Sequence, residues 1–177
     1  GAAIPMWRAD DSHQGCDQGE LPVRRGQIRR FPGNASIKDL AGGDVLACQA
    51  YSGDVIQLQA DNPDIRFVVP EEGAELWSDS LMIPDLASHK ANAERLVDYY
   101  YDPEVAAELA GWVNYVCPVP DAKNVLASSK DEETAALAEN KLIFPDDEMR
   151  ERLVIARDIT SGERVEFSKR WNAIVGL

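Results

Sequence analysis

Tyr51-Ser52-Gly53-Asp54 and, further along, Leu76-Trp77-Ser78-Asp79-Ser80-Leu81-Met82-Ile83-Pro84 are the two stretches on which the reading of this chain turns. Each sets an aromatic ring close to a carboxylate, at the edge of an apolar run. A ring face attracts a cation through its quadrupole, and a carboxylate gives an ammonium a charge-assisted hydrogen bond. One such pair carries little information. Two pairs, with a further tyrosine in Asn114-Tyr115-Val116-Cys117-Pro118, point to a site for a small amine.

The balance of charge agrees with that direction. The chain has 177 residues, with 18 Lys and Arg against 31 Asp and Glu, a net charge of −13. Nucleic acid is excluded as a partner, because phosphate binding needs a concentrated basic surface. Most of the acidic groups read as an ordinary solvated surface. A hydrophobic content of 45% is that of a globular chain. No apolar stretch approaches the roughly 20 residues of a membrane-spanning helix, so direct insertion is not expected. Gly1 to Met6 is too short for the apolar core of a signal peptide. A signal or lipid anchor is therefore expected outside this segment.

Chemistry by covalent catalysis finds no support in the motifs. There is no phosphate-binding glycine loop, nucleophile elbow, HExxH or kinase set. Ser52 has no histidine base to activate it. Asp54 and Asp79 are the only pair that suggests acid–base work, and neither a nucleophile nor a metal set accompanies them. His13 and His89 are isolated and read as surface residues. No catalytic residue, cofactor or metal is expected. Cys16, Cys48 and Cys117 match no zinc or redox spacing. Cys48 reads either as a small buried hydrophobe or as the partner of Cys117 in a disulfide, which would require an oxidising compartment.

Along the chain, residues 1–26 lack helical or strand periodicity and read as a loop or disordered leader. Asn34 or Ser36 caps a short helix through Leu40, stopped by Gly42-Gly43. Asn34-Ala35-Ser36 also matches a glycosylation sequon. Val45 to Tyr51, Ile65 to Val69 and Leu76 to Ile83 read as buried strands, with a turn at Glu71-Glu72-Gly73. Ser52 fits the cap of a helix over Asp54 to Ala60. Ala91 to Tyr100 is a helix with Leu96, Val97 and Tyr100 on one side. Asp102 caps Pro103 to Asn114, with Val105, Leu109, Trp112 and Val113 as the apolar stripe and Trp112 in the core. Asp131 to Ala138 is a short helix, and Pro145-Asp146 starts another through Val154. Thr160-Ser161-Gly162-Glu163 fits a capping box for a last helix, with Trp171 packed on the body. Strands interleaved with helices give an α/β class.

Taken together and in order, several segments resemble the spermidine/putrescine-binding proteins of bacterial ABC importers. They are Asp39-Leu40-Ala41-Gly42-Gly43-Asp44-Val45, Tyr51-Ser52-Gly53-Asp54-Val55 and Pro70-Glu71-Glu72-Gly73-Ala74 leading into Leu76 to Pro84. Asp102-Pro103-Glu104-Val105-Ala106, Asn114-Tyr115 and Ile143-Phe144-Pro145-Asp146 complete the set. The resemblance runs from Ile28 to about Asp158 and matches the C-terminal half of the family. It implies an α/β fold of the type II periplasmic-binding-protein kind, incomplete in both lobes. By the family's pattern, 27–51 belongs to the second lobe and ends in a crossing strand. Residues 52–121 belong to the first lobe, and 122–177 make a helical return to the second.

The resemblance also implies roles. Tyr51 stands where the family commonly has tryptophan, stacking on a polyamine's methylenes. Asp54 binds one ammonium and Asp79 another. Trp77 lines the site and Tyr115 matches the tyrosine after the long helix. The implied protein is a periplasmic or extracellular, non-enzymatic binding component that takes a polyamine and presents it to a membrane permease. A Gram-positive member would be a lipoprotein. The alternatives are the same fold with another amine, an amino acid or a sugar; a carboxylate-dependent enzyme; and an inactive truncated product. With half of the site on the facing residues, this segment is expected to bind polyamines poorly by itself.

Overall fold

The last turn of the first helix is closed by glycine. In the computed structural model, which describes residues 26, 28, 36–71 and 73–175, helix α1 spans Ser36–Ala41. It is stopped as Gly43 turns to φ +73° and Asp44 N–H reaches back to the Asp39 carbonyl. Ser36 Oγ donates to the Gln49 carbonyl and ties the segment after the helix to its start. The expected leader, the Asn34 sequon, His13 and Cys16 lie outside the described residues.

The chain divides into two units. One holds the described residues up to Ala50, Phe67–Trp77 and those from Arg150 onward; the other holds Tyr51–Arg66 and Ser78–Met149. Residues 122–149 group with the helix before them, and the change of unit falls at Arg150.

In the first unit, β1 (Ala74–Glu75) pairs in parallel with β2 (Leu153–Val154), with Ala74 opposite Leu153 and Glu75 opposite Val154. Ala74 N–H bonds the Arg152 carbonyl and Leu76 N–H bonds the Val154 carbonyl, each at 2.9 Å. The expected turn before β1 is present: Gly73 N–H bonds the Pro70 carbonyl, and Gly73 has φ +107°. A β-carbon there would also stand 2.8 Å from the Arg152 carbonyl oxygen, so the parallel pairing needs glycine twice over. The long C-terminal helix, Ser161–Val175, opens with the expected capping box. Thr160 N–H donates to Glu163 Oε2, and Glu163 N–H donates to Thr160 Oγ1.

The second unit is helical. Its elements are α2 (Ser52–Asp61), α3 (Lys90–Tyr100), α4 (Pro103–Val113), α5 (Ala122–Ala127), α6 (Glu132–Ala136) with a 3-10 turn at Leu137–Glu139, and α7 (Asp147–Arg150), which runs across the division into the first unit; the C-terminal helix is then α8. Helix α4 starts as its sequence says: Asp102 Oδ1 accepts from Glu104 N–H at 2.9 Å, and Pro103 sits at the first helical position. Asp131 caps α6 in the same way, accepting from Thr134 N–H. The core is Ile56, Ala106, Ala107, Ala110, Val119, Ala122, Leu126, Ala138 and Ile143.

Several expectations are corrected. Val45 to Tyr51, Ile65 to Val69 and Leu76 to Ile83 form no strands among the described residues; β1 lies just before the third run, at Ala74–Glu75. Leu46 is fully exposed. An apolar run becomes a strand only when a neighbour satisfies its backbone, and the described residues supply one ladder two residues long. The helix expected from Pro145 to Val154 ends at Arg150, because Leu153 and Val154 are taken by β2. On α4 the buried face is Ala106, Ala107 and Ala110; Trp112 is 83% exposed and Leu109 is exposed as well. The alanine face packs with Ala122 and Leu126 of α5 in the same core cluster. Helix α3 buries no residue.

Candidate functional site

Tyr51, Asp54 and Tyr115 come together at the opening of α2. Tyr51 is the N-cap residue of that helix, in extended conformation, and its carbonyl accepts the Val55 N–H. Asp54 lies in the first turn, where the positive end of the helix dipole favours a carboxylate. The sequence placed the cap on Ser52; the helix starts at Ser52 and the cap is Tyr51. The aromatic residue is therefore fixed in the capping position rather than carried on a free strand.

Tyr115 reaches the same turn from the far end of α4. Asn114 adopts the left-handed conformation, φ 59°, and caps the helix with its backbone N–H on the Ala110 carbonyl. Its buried side-chain amide donates to the Gly111 carbonyl at 2.9 Å. Asparagine tolerates this conformation better than other residues with a β-carbon. The chain turns there, and Cys117 N–H then bonds the carbonyl of fully buried Ile143. Tyr115 is held between these two fixed points. Its hydroxyl donates to Asp54 Oδ1 at 2.9 Å. Gln57 Nε2 adds a longer bond to the Val113 carbonyl, joining the same two helix ends.

Gly53 makes this arrangement sterically possible, a role the sequence reading did not assign. A β-carbon at 53 would lie 2.8 Å from Cδ2 and Cε2 of Tyr115, and 2.9 Å from the Val113 carbonyl oxygen. The Tyr115 ring thus rests on bare backbone. The one signal in the sequence is a glycine in the first turn of a helix, where only close approach explains it. Burial, the hydrogen bond to Asp54, the Asp54 charge and the neighbouring Tyr51 together push the Tyr115 phenol up to about 12. The phenol is thereby held in its protonated, donating form. The carboxylate accepts, the phenol donates, and an exposed Tyr51 ring stands beside them. Such a group is suited to an organic cation.

Trp77 and Asp79 lie on either side of the point where the chain passes from the first unit to the second. Both are exposed, in the segment that forms no ladder. Trp77 belongs to the first unit, and Asp79, like the trio at α2, to the second. Cys48 and Cys117 are free thiols, so the disulfide, one of the two readings of Cys48, is not formed. They belong to different units, and Cys117 donates within its own loop to the Val119 carbonyl at 3.5 Å. Burial pushes both thiols up, away from the reactive thiolate. Among the described residues no group of His, Cys, Asp and Glu is placed to hold a metal ion. No described helix is long and apolar enough to cross a membrane.

The fold defines the class. The chain superposes on the spermidine/putrescine ABC transporter substrate-binding protein PotD of Streptococcus pneumoniae with a TM-score of 0.75, at 24% identity, covering 91% of this chain and 47% of that one. It is thus an incomplete α/β fold of the periplasmic-binding-protein kind. Residues 24–140 match the family model of the bacterial extracellular solute-binding proteins, and the chain belongs to that family. Among curated relatives, it is 24% identical over 156 residues to the putrescine-binding periplasmic protein SpuD of Pseudomonas aeruginosa, covering 85% of this chain and 41% of the relative. It is 30% identical over 152 residues to the putrescine-binding periplasmic protein PotF of Escherichia coli, covering 82% and 39%. The chain therefore spans about two fifths of the length of these relatives. By their names all three are binding proteins rather than enzymes.

Proposed function

We propose that the chain is part of the extracytoplasmic solute-binding component of an ABC importer, and that the solute is a polyamine such as putrescine or spermidine. The observation that carries this reading is the Asp54 carboxylate, hydrogen-bonded by Tyr115 and flanked by the exposed Tyr51 ring. A polyamine alternates ammonium groups with apolar methylenes. It is matched by carboxylates that alternate with rings. Asp54 takes one ammonium, and Tyr51 covers the adjoining methylenes. Asp79 takes a further ammonium. The names of the relatives, which specify putrescine or spermidine, support the same class of ligand.

The protein carries out no covalent step. Its output is a shift of population between open and closed forms, which the membrane permease reads. Tyr51, where related proteins commonly carry tryptophan, presents a smaller ring and favours a weaker or shorter contact with the methylenes.

A thermal-shift panel at the protein's natural full length tests the proposal. Putrescine or spermidine raises the melting temperature, and the rise disappears in Asp54→Ala and in Asp79→Ala. No response to any amine, or a rise undiminished in both variants, would sink it.

A further inference from the structure

The carboxylate of an aspartate turns broadly about its last torsion, so a binding aspartate needs something to aim it. Here Oδ1 of Asp54 is engaged by the Tyr115 hydroxyl at 2.9 Å. No other hydrogen bond reaches that carboxylate among the described residues. The hydroxyl arrives from a ring clamped between the Asn114 cap and the Cys117–Ile143 bond, over a glycine that leaves no room for a β-carbon. The donor is therefore rigid, and it fixes the carboxylate before any ligand arrives.

We propose that Tyr115 is a positioning residue: lying on Gly53, it holds Oδ1 of Asp54 so that Oδ2 faces the ligand ammonium in a single orientation. This rests on the reading of Asp54 as an ammonium ligand and adds how that aspartate is set. Fixing the acceptor in advance removes part of the ordering cost from the binding step. The hydroxyl acts through Asp54, and a phenylalanine ring keeps the same seat on Gly53. The phenol stays protonated and donating throughout the neutral range.

The test is a double-mutant cycle at the protein's natural full length, with putrescine and spermidine as titrants. Tyr115→Phe keeps the ring and removes the hydroxyl; it weakens binding about ten-fold, the worth of one hydrogen bond to a charged group. In an Asp54→Asn background the same substitution changes affinity by less than about two-fold, because the carboxylate it orients is gone. An equal loss in both backgrounds, or none in the native one, overturns the proposal. The Tyr115 ring-carbon resonance of a ¹³C-tyrosine-labelled protein gives a reading apart from affinity. Its titration midpoint falls in Asp54→Asn yet stays above that of free tyrosine, since burial remains. A midpoint unmoved by Asp54→Asn also overturns the pairing. Should the unsubstituted protein bind neither polyamine, the ligand reading itself has failed and this inference falls with it; binding without coupling defeats this inference alone.

Discussion

Gly53 and Tyr115 exclude one another's substituents: a β-carbon on the first would stand 2.8 Å from two ring carbons of the second. The opening turn of α2 and the end of α4 are therefore joined through a contact that admits only glycine on one side. On this contact depends the 2.9 Å hydrogen bond from Tyr115 to Asp54, between residues 61 positions apart.

Gly53→Ala is expected to destabilise the protein. Alanine is favoured over glycine inside a helix by up to about 1 kcal/mol. Overpacking against an immobile ring costs about 1–3 kcal/mol and outweighs it. Urea unfolding decides the sign, and a variant as stable as the original would mean that the ring moves aside freely.

The Tyr115 phenol, raised to about 12 from the ordinary 10, makes stability depend on alkaline pH. The folded state holds this proton more tightly than the unfolded state. The contribution is thus complete below pH 10 and is lost as pH rises towards 12. Tyr115→Phe abolishes that part of the slope. Unfolding midpoints between pH 9 and pH 12 give the comparison, and parallel curves would contradict it.

Glu163 behaves in the opposite sense. Hydrogen bonds from Arg157 and Thr160 hold its carboxyl down to about 2. Its contribution is complete above the ordinary carboxyl value of 4.5 and is lost as pH falls towards 2. The first turn of α8 is expected to fray over that window, read as loss of amide protection at Glu163 and Arg164. Glu163→Ala frays it already at neutral pH.

Asp102→Ala removes the cap of α4 and costs about 1 kcal/mol. Ile143→Ala, at a fully buried position, costs about 2–5 kcal/mol. Trp112→Ser stays within about 0.5 kcal/mol, because that ring is 83% exposed. A loss at Trp112 comparable with that at Ile143 would restore the tryptophan to the core.

The parts of the fold that were legible in the sequence are those whose signals are local. Asp102-Pro103 and Thr160 to Glu163 carry their own hydrogen-bond partners, so α4 and α8 begin where they were expected. Gly42-Gly43 ends α1 for the same reason. The apolar runs at 45–51, 65–69 and 76–83 failed as strands because a strand depends on neighbours that composition does not reveal. The stripe on α4 misled because the face turned to the core is the one that carries Ala106, Ala107 and Ala110, while Leu109 and Trp112 point to solvent. At the site, the residue types that suit a cation were readable, Asp54 and Tyr115 among them. Their pairing was not, since it depends on Gly53, whose reason lies in a ring from another helix.

The central claim is that Asp54, oriented on α2, receives an ammonium of a polyamine. Isothermal titration calorimetry of putrescine and spermidine into the protein at its natural full length tests it most directly, alongside Asp54→Ala. The account predicts saturable one-to-one binding of at least one polyamine that weakens by two orders of magnitude or more, about 3 kcal/mol, in the variant. Absence of binding in the unsubstituted protein, or undiminished affinity in Asp54→Ala, would contradict it.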